Sequence, residues 1–246
     1  MNEVCVIVPT YEEADNLPKL AEEIEKVIQK DQLTLIVVDD NSPDGTADVA
    51  ENLNMRYGNI IVHRRPSKLG IGSAIHDGIK IALSFPSCSH IVTMDGDLSH
   101  DPKDLPSLLR RAEEADLIQG SRYIKGGRIV GWSFSRRAVS RIANLCCKFL
   151  LRTGLYEHTT LFRVYSRECA ETIVKNVHCD RYEWAIGSIL VTKRQNYRIR
   201  EAPITFTCRA SGKSKLRPRD VLLWGSYVAR MFFKPPASSS WRVLEK

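Results

Sequence analysis

The chain has 246 residues, of which 43% are hydrophobic and 26% are charged, a composition that excludes the disordered and fibrous classes. Its seven cysteines include no Cys-x-x-Cys pair, which favours a reducing compartment over a disulfide framework or a zinc site. The net charge of +7 is divided unevenly, with 11 basic and 21 acidic residues in 1–121 against 25 basic and 8 acidic residues in 122–246. This division suits an acidic half that handles a cation and a basic half that faces an anionic partner.

The first 121 residues predict an alternation of strands and helices, read from apolar runs and from apolar residues at helical spacing. The predicted strands are Val4–Val8, Leu33–Val38, Ile60–His63, His90–Met94 and Leu117–Gly120. The predicted helices are Asn16–Gln29, one that begins at Ser42 with Pro43 at its first position, Ile71–Leu83 and Lys103–Ala112. This order predicts an α/β fold with a mostly parallel sheet and helices on both faces. In such a sheet the functional site lies beyond the carboxyl ends of the strands.

The basic second half predicts a different organisation. An amphipathic helix is expected over Phe134–Leu151, a strand over Ile204–Thr207, a basic loop over Arg209–Lys215 and an apolar helix over Val221–Phe233. The last helix is interrupted by Arg230 and is shorter than the ~20 residues that span a bilayer. Because residues 1–3 lead straight into an apolar strand, we expect no secretory leader. We therefore expect a protein on the cytosolic side of a membrane that does not cross it.

The strongest local signal is Asp95-Gly96-Asp97, directly after an apolar strand. Two carboxylates at this spacing can converge on a divalent cation, although spacing alone equally fits a solvated loop. Asp39 and Asp40 end another strand of the same sheet, and two acidic pairs at one sheet edge favour a site for a cation and a nucleotide. Two other patterns are rejected. The KLGIG run lacks the third glycine of a dinucleotide fingerprint. His76, His90, His100 and His158 have no metal-ligand spacing, so they are interpreted as structural or surface residues.

Several motifs together are similar to family-2 inverting glycosyltransferases of the GT-A fold. IVPTYEEADNLP, VVDDNSPDGTADVA, KLGIGSAIHDGI, MDGDLSHDP, GSRYIKGG, RRAVSRIAN and GKSKL come in the order and spacing of dolichyl-phosphate mannosyltransferases. The resemblance extends from Val4 to Leu216. It implies a catalytic domain over 1–216 and a membrane- or partner-associating tail with interfacial helices over 217–246.

The resemblance also implies roles for individual residues. Those expected to hold the nucleotide sugar are Pro9, Tyr11, Glu13, Val38 and Asp40. Those expected at the Mg²⁺ or Mn²⁺ ion and the diphosphate are Asp95, Gly96, Asp97 and Ser99, with Arg122, Arg209 and Lys215 on the phosphates. Arg136 and Ser140 are expected to meet the acceptor phosphate, and their spacing of four places them on one helix face. Asp97, Arg122, Arg136 and Ser140 are the candidate catalytic residues.

The implied reaction is inverting transfer of mannose from GDP-mannose to dolichyl or another polyprenyl phosphate. A phosphate monoester has a second pKa near ~6, so the acceptor oxygen is ionised at neutral pH and a general base is dispensable. The resemblance places the protein on the cytoplasmic face of a membrane, in eukaryotes the endoplasmic reticulum. Family members without a spanning segment often rely on small membrane-embedded partner subunits.

The chain departs from the family pattern at three places. Ser99 stands where the family usually has Gln, Trp184-Ala185-Ile186-Gly187 replaces Phe-Gln-x-Glu, and Thr159-Thr160-Leu161 replaces a Thr-Gly-Ser-like turn. Three other functions stay open: a transferase that uses UDP-glucose, a non-catalytic nucleotide-sugar-binding regulator, and a nucleic-acid-binding protein. The pI of about 9.1 suggests the last, but the basic residues form no aromatic-interleaved platform, and no nucleic-acid partner is expected.

Overall fold

A computed structural model describes residues 3–209 and 218–233. The strands are β1 Glu3–Thr10, β2 Leu33–Asp39, β3 Ile60–Arg64, β4 Cys88–Thr93, β5 Leu117–Ser121, β6 Arg128–Val130, β7 Arg163–Ser166, β8 Ile199–Pro203 and β9 Thr205–Thr207. The helices are α1 Leu17–Val27, α2 Thr46–Tyr57, α3 Ile71–Leu83, α4 Leu105–Arg111, α5 Phe134–Leu150, α6 Arg167–Asn176, α7 Trp184–Arg194 and α8 Pro218–Phe233.

A seven-stranded sheet with the order β3-β2-β1-β4-β7-β5-β8 forms the centre of the molecule. All neighbouring strands pair in parallel except β7, which is antiparallel to both β4 and β5. Alternate residues of β1 enter two separate apolar clusters, one on each face of the sheet. Burial on both faces explains the unbroken apolar run of this strand. The predicted mostly parallel sheet with helices on both faces is confirmed.

The carboxyl ends of β1, β2, β4 and β5 lie along one edge of the sheet. Because β7 runs the opposite way, its first residue, Arg163, pairs with Thr93 at the end of β4. The segment that precedes β7 therefore also reaches this edge. A small parallel pair of β6 with β9 lies beside it, and His100 bridges to Phe206 of β9.

The helix predicted to begin at Ser42 instead begins at Thr46, after Gly45 with a φ of 81°. The prediction was wrong because Ser42 does not cap a helix: its backbone N–H and its hydroxyl both donate to the Asp39 carboxylate, at 2.8 and 2.5 Å. The Asp44 carboxylate then accepts from the N–H groups of Thr46 and Ala14, which folds 42–45 into a loop against the segment that follows β1.

Five elements of the structure had no sequence prediction: β6, β7, α6, α7 and β8. For α7 the reason is physical, because every residue from Trp184 to Thr192 is buried. A helix that is apolar all round shows no amphipathic period. The predicted bounds of α3 agree with the structure, and the 103–112 prediction is divided between a 3₁₀ turn, Pro102–Asp104, and α4.

Helices α5 and α8 correspond to the amphipathic helix and the apolar helix predicted in the basic half. The apolar stripe of α5 faces outward, with Phe134, Val139, Ile142 and Phe149 all exposed. In contrast, α8 buries one side in the core, through Tyr227, Val228 and Met231. Within 3–209 and 218–233, none of the helices is both long and apolar enough to span a bilayer.

Candidate functional site

A cleft with a volume of about 660 Å³ opens at the carboxyl edge of the sheet and extends between α5 and α8. Nearly all the residues predicted for the site line this cleft, namely Pro9, Tyr11, Glu13, Asp40, Asp95, Gly96, Asp97, Ser99, Arg122, Arg136, Ser140 and Arg209. Val38 does not line it, since its side chain belongs to the core cluster between the sheet and α3. Lys215 lies outside the described residues.

The two carboxylates of the Asp-Gly-Asp turn lie in the floor of the cleft. Asp97 accepts a hydrogen bond from the Ser99 N–H at 3.0 Å, and its second oxygen lies 3.2 Å from the Arg209 guanidinium. Burial, reinforced by the neighbouring Asp97, raises the pKa of Asp95 to about 8. A second negative charge beside Asp97 is therefore unfavourable in this turn unless a bound cation compensates it.

Two buried oxygens of this turn suit a cation. Asp95 Oδ1 and Ser99 Oγ are buried and accept or donate no hydrogen bond among the described residues. Carboxylate and hydroxyl oxygens are hard ligands of the kind that Mg²⁺ and Mn²⁺ bind. Over 3–209 and 218–233, no group of three or more His, Cys, Asp or Glu side chains is placed to hold a metal ion. A cation here would thus take its remaining ligands from a substrate or water.

His100 supports the turn from below, a role that sequence analysis missed. It is fully buried, and its Nδ1 accepts the Asp95 N–H at 3.1 Å. Its Nε2 therefore carries the proton and donates to Thr160 Oγ1 at 2.9 Å. Burial lowers the pKa of His100 to about 3, so the ring is neutral at physiological pH. The ring connects the Asp95 backbone to the segment before β7.

Asp40, at the end of β2, joins the sheet to the start of α3. Its carboxylate binds the buried Arg65 guanidinium and accepts the Gly70 N–H at 2.9 Å. Arg65 also donates to Ser73 Oγ at 2.7 Å. On the other side of the loop, the Lys68 ammonium lies 3.3 Å from the centre of the Tyr11 ring. The KLGIG run therefore shapes one wall of the cleft, in agreement with the rejection of a dinucleotide fingerprint.

Arg122, at the end of β5, is held by a buried carboxylate. Its guanidinium donates two hydrogen bonds to Glu157, at 2.7 and 2.8 Å, and one to Thr159 Oγ1 at 2.6 Å. Burial alone would oppose ionisation of Glu157, but the adjacent guanidinium outweighs it and lowers the pKa of Glu157 to about 2. Trp132 and Phe206 place their rings 5.3 and 5.1 Å from the same guanidinium. The Arg122 guanidinium is therefore held in one orientation at the wall of the cleft.

Arg136 and Ser140 line the cleft from two successive turns of α5. The Arg136 guanidinium stacks 4.0 Å from the centre of the Trp132 ring. The Tyr123 hydroxyl donates to Ser140 Oγ at 2.7 Å. Ser133 caps this helix by accepting the Arg136 N–H. The helical spacing predicted for Arg136 and Ser140 is present, and both residues face the cleft.

The departures in 184–187 lie away from the cleft. Ala185 is buried in α7, and a Cβ atom at Gly187 would lie 3.1 Å from the hydroxyl of Tyr227 on α8. The lost polar side chains therefore affect helix packing. The cleft also contains residues that the sequence analysis did not single out as site residues: Trp132, Arg181, Tyr182, Phe206, Asp220 and Trp224.

Comparison with known proteins agrees with this architecture. Glycosyl transferase family 2 matches residues 5–174. Polyprenol monophosphomannose synthase of Mycolicibacterium smegmatis is 36% identical over 93% of this chain and 84% of its own length. Undecaprenyl-phosphate mannosyltransferase of Micrococcus luteus is 34% identical over 87% of each chain. Dolichol-phosphate mannosyltransferase of Pyrococcus furiosus is 32% identical over 93% of this chain and 63% of its own length.

A solved structure shows the same fold. Glucosyl-3-phosphoglycerate synthase of Mycobacterium tuberculosis, crystallised with Mn²⁺ and UDP, superposes with a TM-score of 0.65 at 19% identity, over 98% of this chain and 80% of that one. The same enzyme has also been crystallised with Mg²⁺. The family match covers more than half of the chain, and the relatives named above exceed 30% identity. The chain belongs to glycosyltransferase family 2 and has the GT-A fold.

Proposed function

We propose that this enzyme transfers mannose from GDP-mannose to the phosphate of dolichyl or another polyprenyl lipid, with inversion at the sugar. The observation that carries the proposal is the cleft itself. It brings Asp95 and Asp97 together with the guanidinium groups of Arg122, Arg136 and Arg209, and it opens between two helices with apolar faces. Three relatives named as mannosyltransferases or synthases for polyprenyl phosphates support the same substrate class.

The donor would lie over the carboxyl ends of β1, β2 and β4. Tyr11, Glu13 and Asp40 line the end of the cleft that we assign to the nucleoside. We assign the metal to Asp95, Asp97 and Ser99, where a bound Mg²⁺ or Mn²⁺ would offset the charge of the departing diphosphate. Arg209 is placed to share that charge, and we assign Lys215 of the same basic segment to it as well.

The acceptor phosphate would lie between α5 and the donor sugar. We assign Arg136 and Ser140 to it, because a guanidinium and a hydroxyl on one helix face bind a phosphate by charge and by a directed hydrogen bond. The ionised phosphate oxygen attacks the anomeric carbon from the side opposite the diphosphate. The first isoprene units of the acceptor lipid would contact Val139, Ala143 and Trp224. The role of Arg136 and Ser140 is to orient the acceptor phosphate toward the donor, so that the two anionic substrates meet at bonding distance.

The exposed apolar face of α5, with Arg137 and Arg141 on the same helix, fits a bilayer that contains anionic lipid. We propose peripheral attachment to the cytoplasmic face, with residues 217–246 as the membrane- or partner-associating tail. Small membrane-embedded subunits are the partners that we expect there. Ile142→Glu should weaken binding to phosphatidylserine vesicles, measured by cosedimentation, at least roughly tenfold, since the transfer of one such side chain is worth about 1.5–3 kcal/mol. Met55→Glu, at an exposed apolar residue of α2, should bind normally, and equal binding by both variants would contradict the proposal.

The function is tested by incubating the full chain with a short polyprenyl phosphate, Mn²⁺ and either GDP-mannose or UDP-glucose. We expect a mannosyl lipid phosphate from GDP-mannose only, and a rise in melting temperature on addition of that donor. If product forms with UDP-glucose and not with GDP-mannose, the proposed donor is wrong and UDP-glucose takes its place. Donor binding without any lipid product would indicate a nucleotide-sugar-binding regulator and would contradict an enzymatic role.

A further inference from the structure

The first turn of α8 closes one side of the cleft through a polar contact. Asp220 is only 4% exposed and lines the cleft together with Val221 and Trp224. Its carboxylate accepts a hydrogen bond from the Arg181 guanidinium at 3.0 Å. The remaining buried contacts of α8 come later, where Tyr227, Val228 and Met231 join the core. The start of the helix is therefore held differently from its second half.

The segment that carries Arg181 is fixed to the donor side of the cleft. The carbonyl of Asp180 accepts the N–H groups of Gly72 and Ser73, at 2.9 and 3.2 Å, in the first turn of α3. A Cβ atom at Gly72 would lie 2.2 Å from the Cys179 carbonyl oxygen, so only glycine admits this approach. Residues 179–181 thus pack directly against the KLGIG run.

Tyr182, the next residue, also lines the cleft. Burial raises the pKa of its hydroxyl to about 12, with further contributions from the carboxylates of Asp95 and Asp220. The same segment therefore approaches both the Asp-Gly-Asp turn and the start of α8. A displacement of α8 would change the lipid side of the cleft, while the donor side would keep its own contacts.

We infer that the Arg181–Asp220 ion pair is a positioning contact, which holds the first turn of α8 so that Val221 and Trp224 grip the acceptor lipid. The inference rests on the proposed function, and it assigns to Arg181 a role exerted through Asp220 without direct contact with the substrate. It predicts a change in acceptor affinity with little change in donor affinity, because the bonds of Asp40 to Arg65 and to the Gly70 N–H do not involve the Arg181 guanidinium.

The experiment is a double-mutant cycle in the full chain, with Arg181→Ala, Asp220→Asn and the double variant. Each single change should raise the acceptor KM roughly fivefold, in the range for a partly buried ion pair, and leave the Kd for GDP-mannose unchanged. The double variant should match the single variants, because the pair acts as a unit. Arg198→Ala, which removes an ion pair with Asp116 at the opposite end of the sheet, should change neither constant.

Hydrogen exchange of α8 gives a second readout that does not need turnover. Amides of 222–224, the first in α8 with acceptors inside the helix, should exchange faster in each of the three cycle variants, and those of 227–231 should keep the wild-type rate. Multiplicative effects on the acceptor KM would overturn the inference, as would an unchanged acceptor KM or unchanged exchange. If wild-type protein forms no lipid product, the proposed function fails, and the exchange data alone still decide whether the pair positions α8.

Discussion

Asp97→Asn is expected to reduce mannosyl transfer by roughly 10²–10³-fold, the loss typical of a group that stabilises charge in a transition state. Asp97 is one of two carboxylates at the proposed cation site, and it also lies 3.2 Å from Arg209. An amide keeps the shape and can still accept the Ser99 N–H, so the fold should be retained. Removal of its charge also removes a repulsion that raises the pKa of Asp95. The melting temperature should therefore stay near the wild-type value.

The measurement is kcat at saturating donor and acceptor, over a titration with Mn²⁺. Asp101→Asn is the matched control: Asp101 lies in the same segment, but its carboxylate accepts the Lys103 N–H and does not line the cleft. This control should retain transfer. Full metal-dependent turnover by Asp97→Asn would show that the metal has been assigned to the wrong residues.

Glu157→Ala is expected to lower the free energy of unfolding by about 3–5 kcal/mol, because it leaves the buried Arg122 cation without its carboxylate. Glu157 and Arg122 are both buried, and the carboxylate also accepts the N–H groups of Thr159 and Thr160. Transfer should be lost as well, since the direction of Arg122 in the cleft depends on this contact. Denaturant unfolding, followed by circular dichroism or fluorescence, measures the free energy of unfolding.

Glu171→Ala is the control for the stability effect. Glu171 forms a partly exposed ion pair with Arg167 on α6, so its removal should cost no more than about 1 kcal/mol. If Glu157→Ala is no less stable than Glu171→Ala, the Arg122–Glu157 pair does not hold the cleft wall as described.

The Glu157 pair also predicts the direction of a pH effect. The pKa of Glu157 is about 2 in the folded protein, below its ordinary value of 4.5. As pH falls, the unfolded chain therefore binds the proton first, and the contribution of the ionised group is complete above about pH 5 and lost toward pH 2. The stability difference between wild type and Glu157→Ala should shrink over this interval. A difference that stays constant down to pH 3 would contradict the lowered pKa.

Much of the site could be predicted because it follows strand ends. Asp40 and the Asp95–Asp97 turn come directly after apolar runs, and the carboxyl ends of parallel strands meet at one edge. Arg136 and Ser140 share a helix face for an equally local reason, the period of the α-helix. The helix expected from Ser42 failed because Asp39, itself buried in the sheet, takes the bonds of Ser42.

The sequence by itself determined the elements whose burial follows a local period, and the acidic residues that end them. Only the tertiary structure decided which groups meet across long separations: Glu157 with Arg122 at 35 residues, Thr160 with His100 at 60, and Asp220 with Arg181 at 39. It also decided that the apolar stripe of α5 faces outward. The physical reason is that the apolar period of a segment indicates which of its positions can be buried, and this is a local property. An ion pair depends instead on how two segments distant in sequence pack against each other.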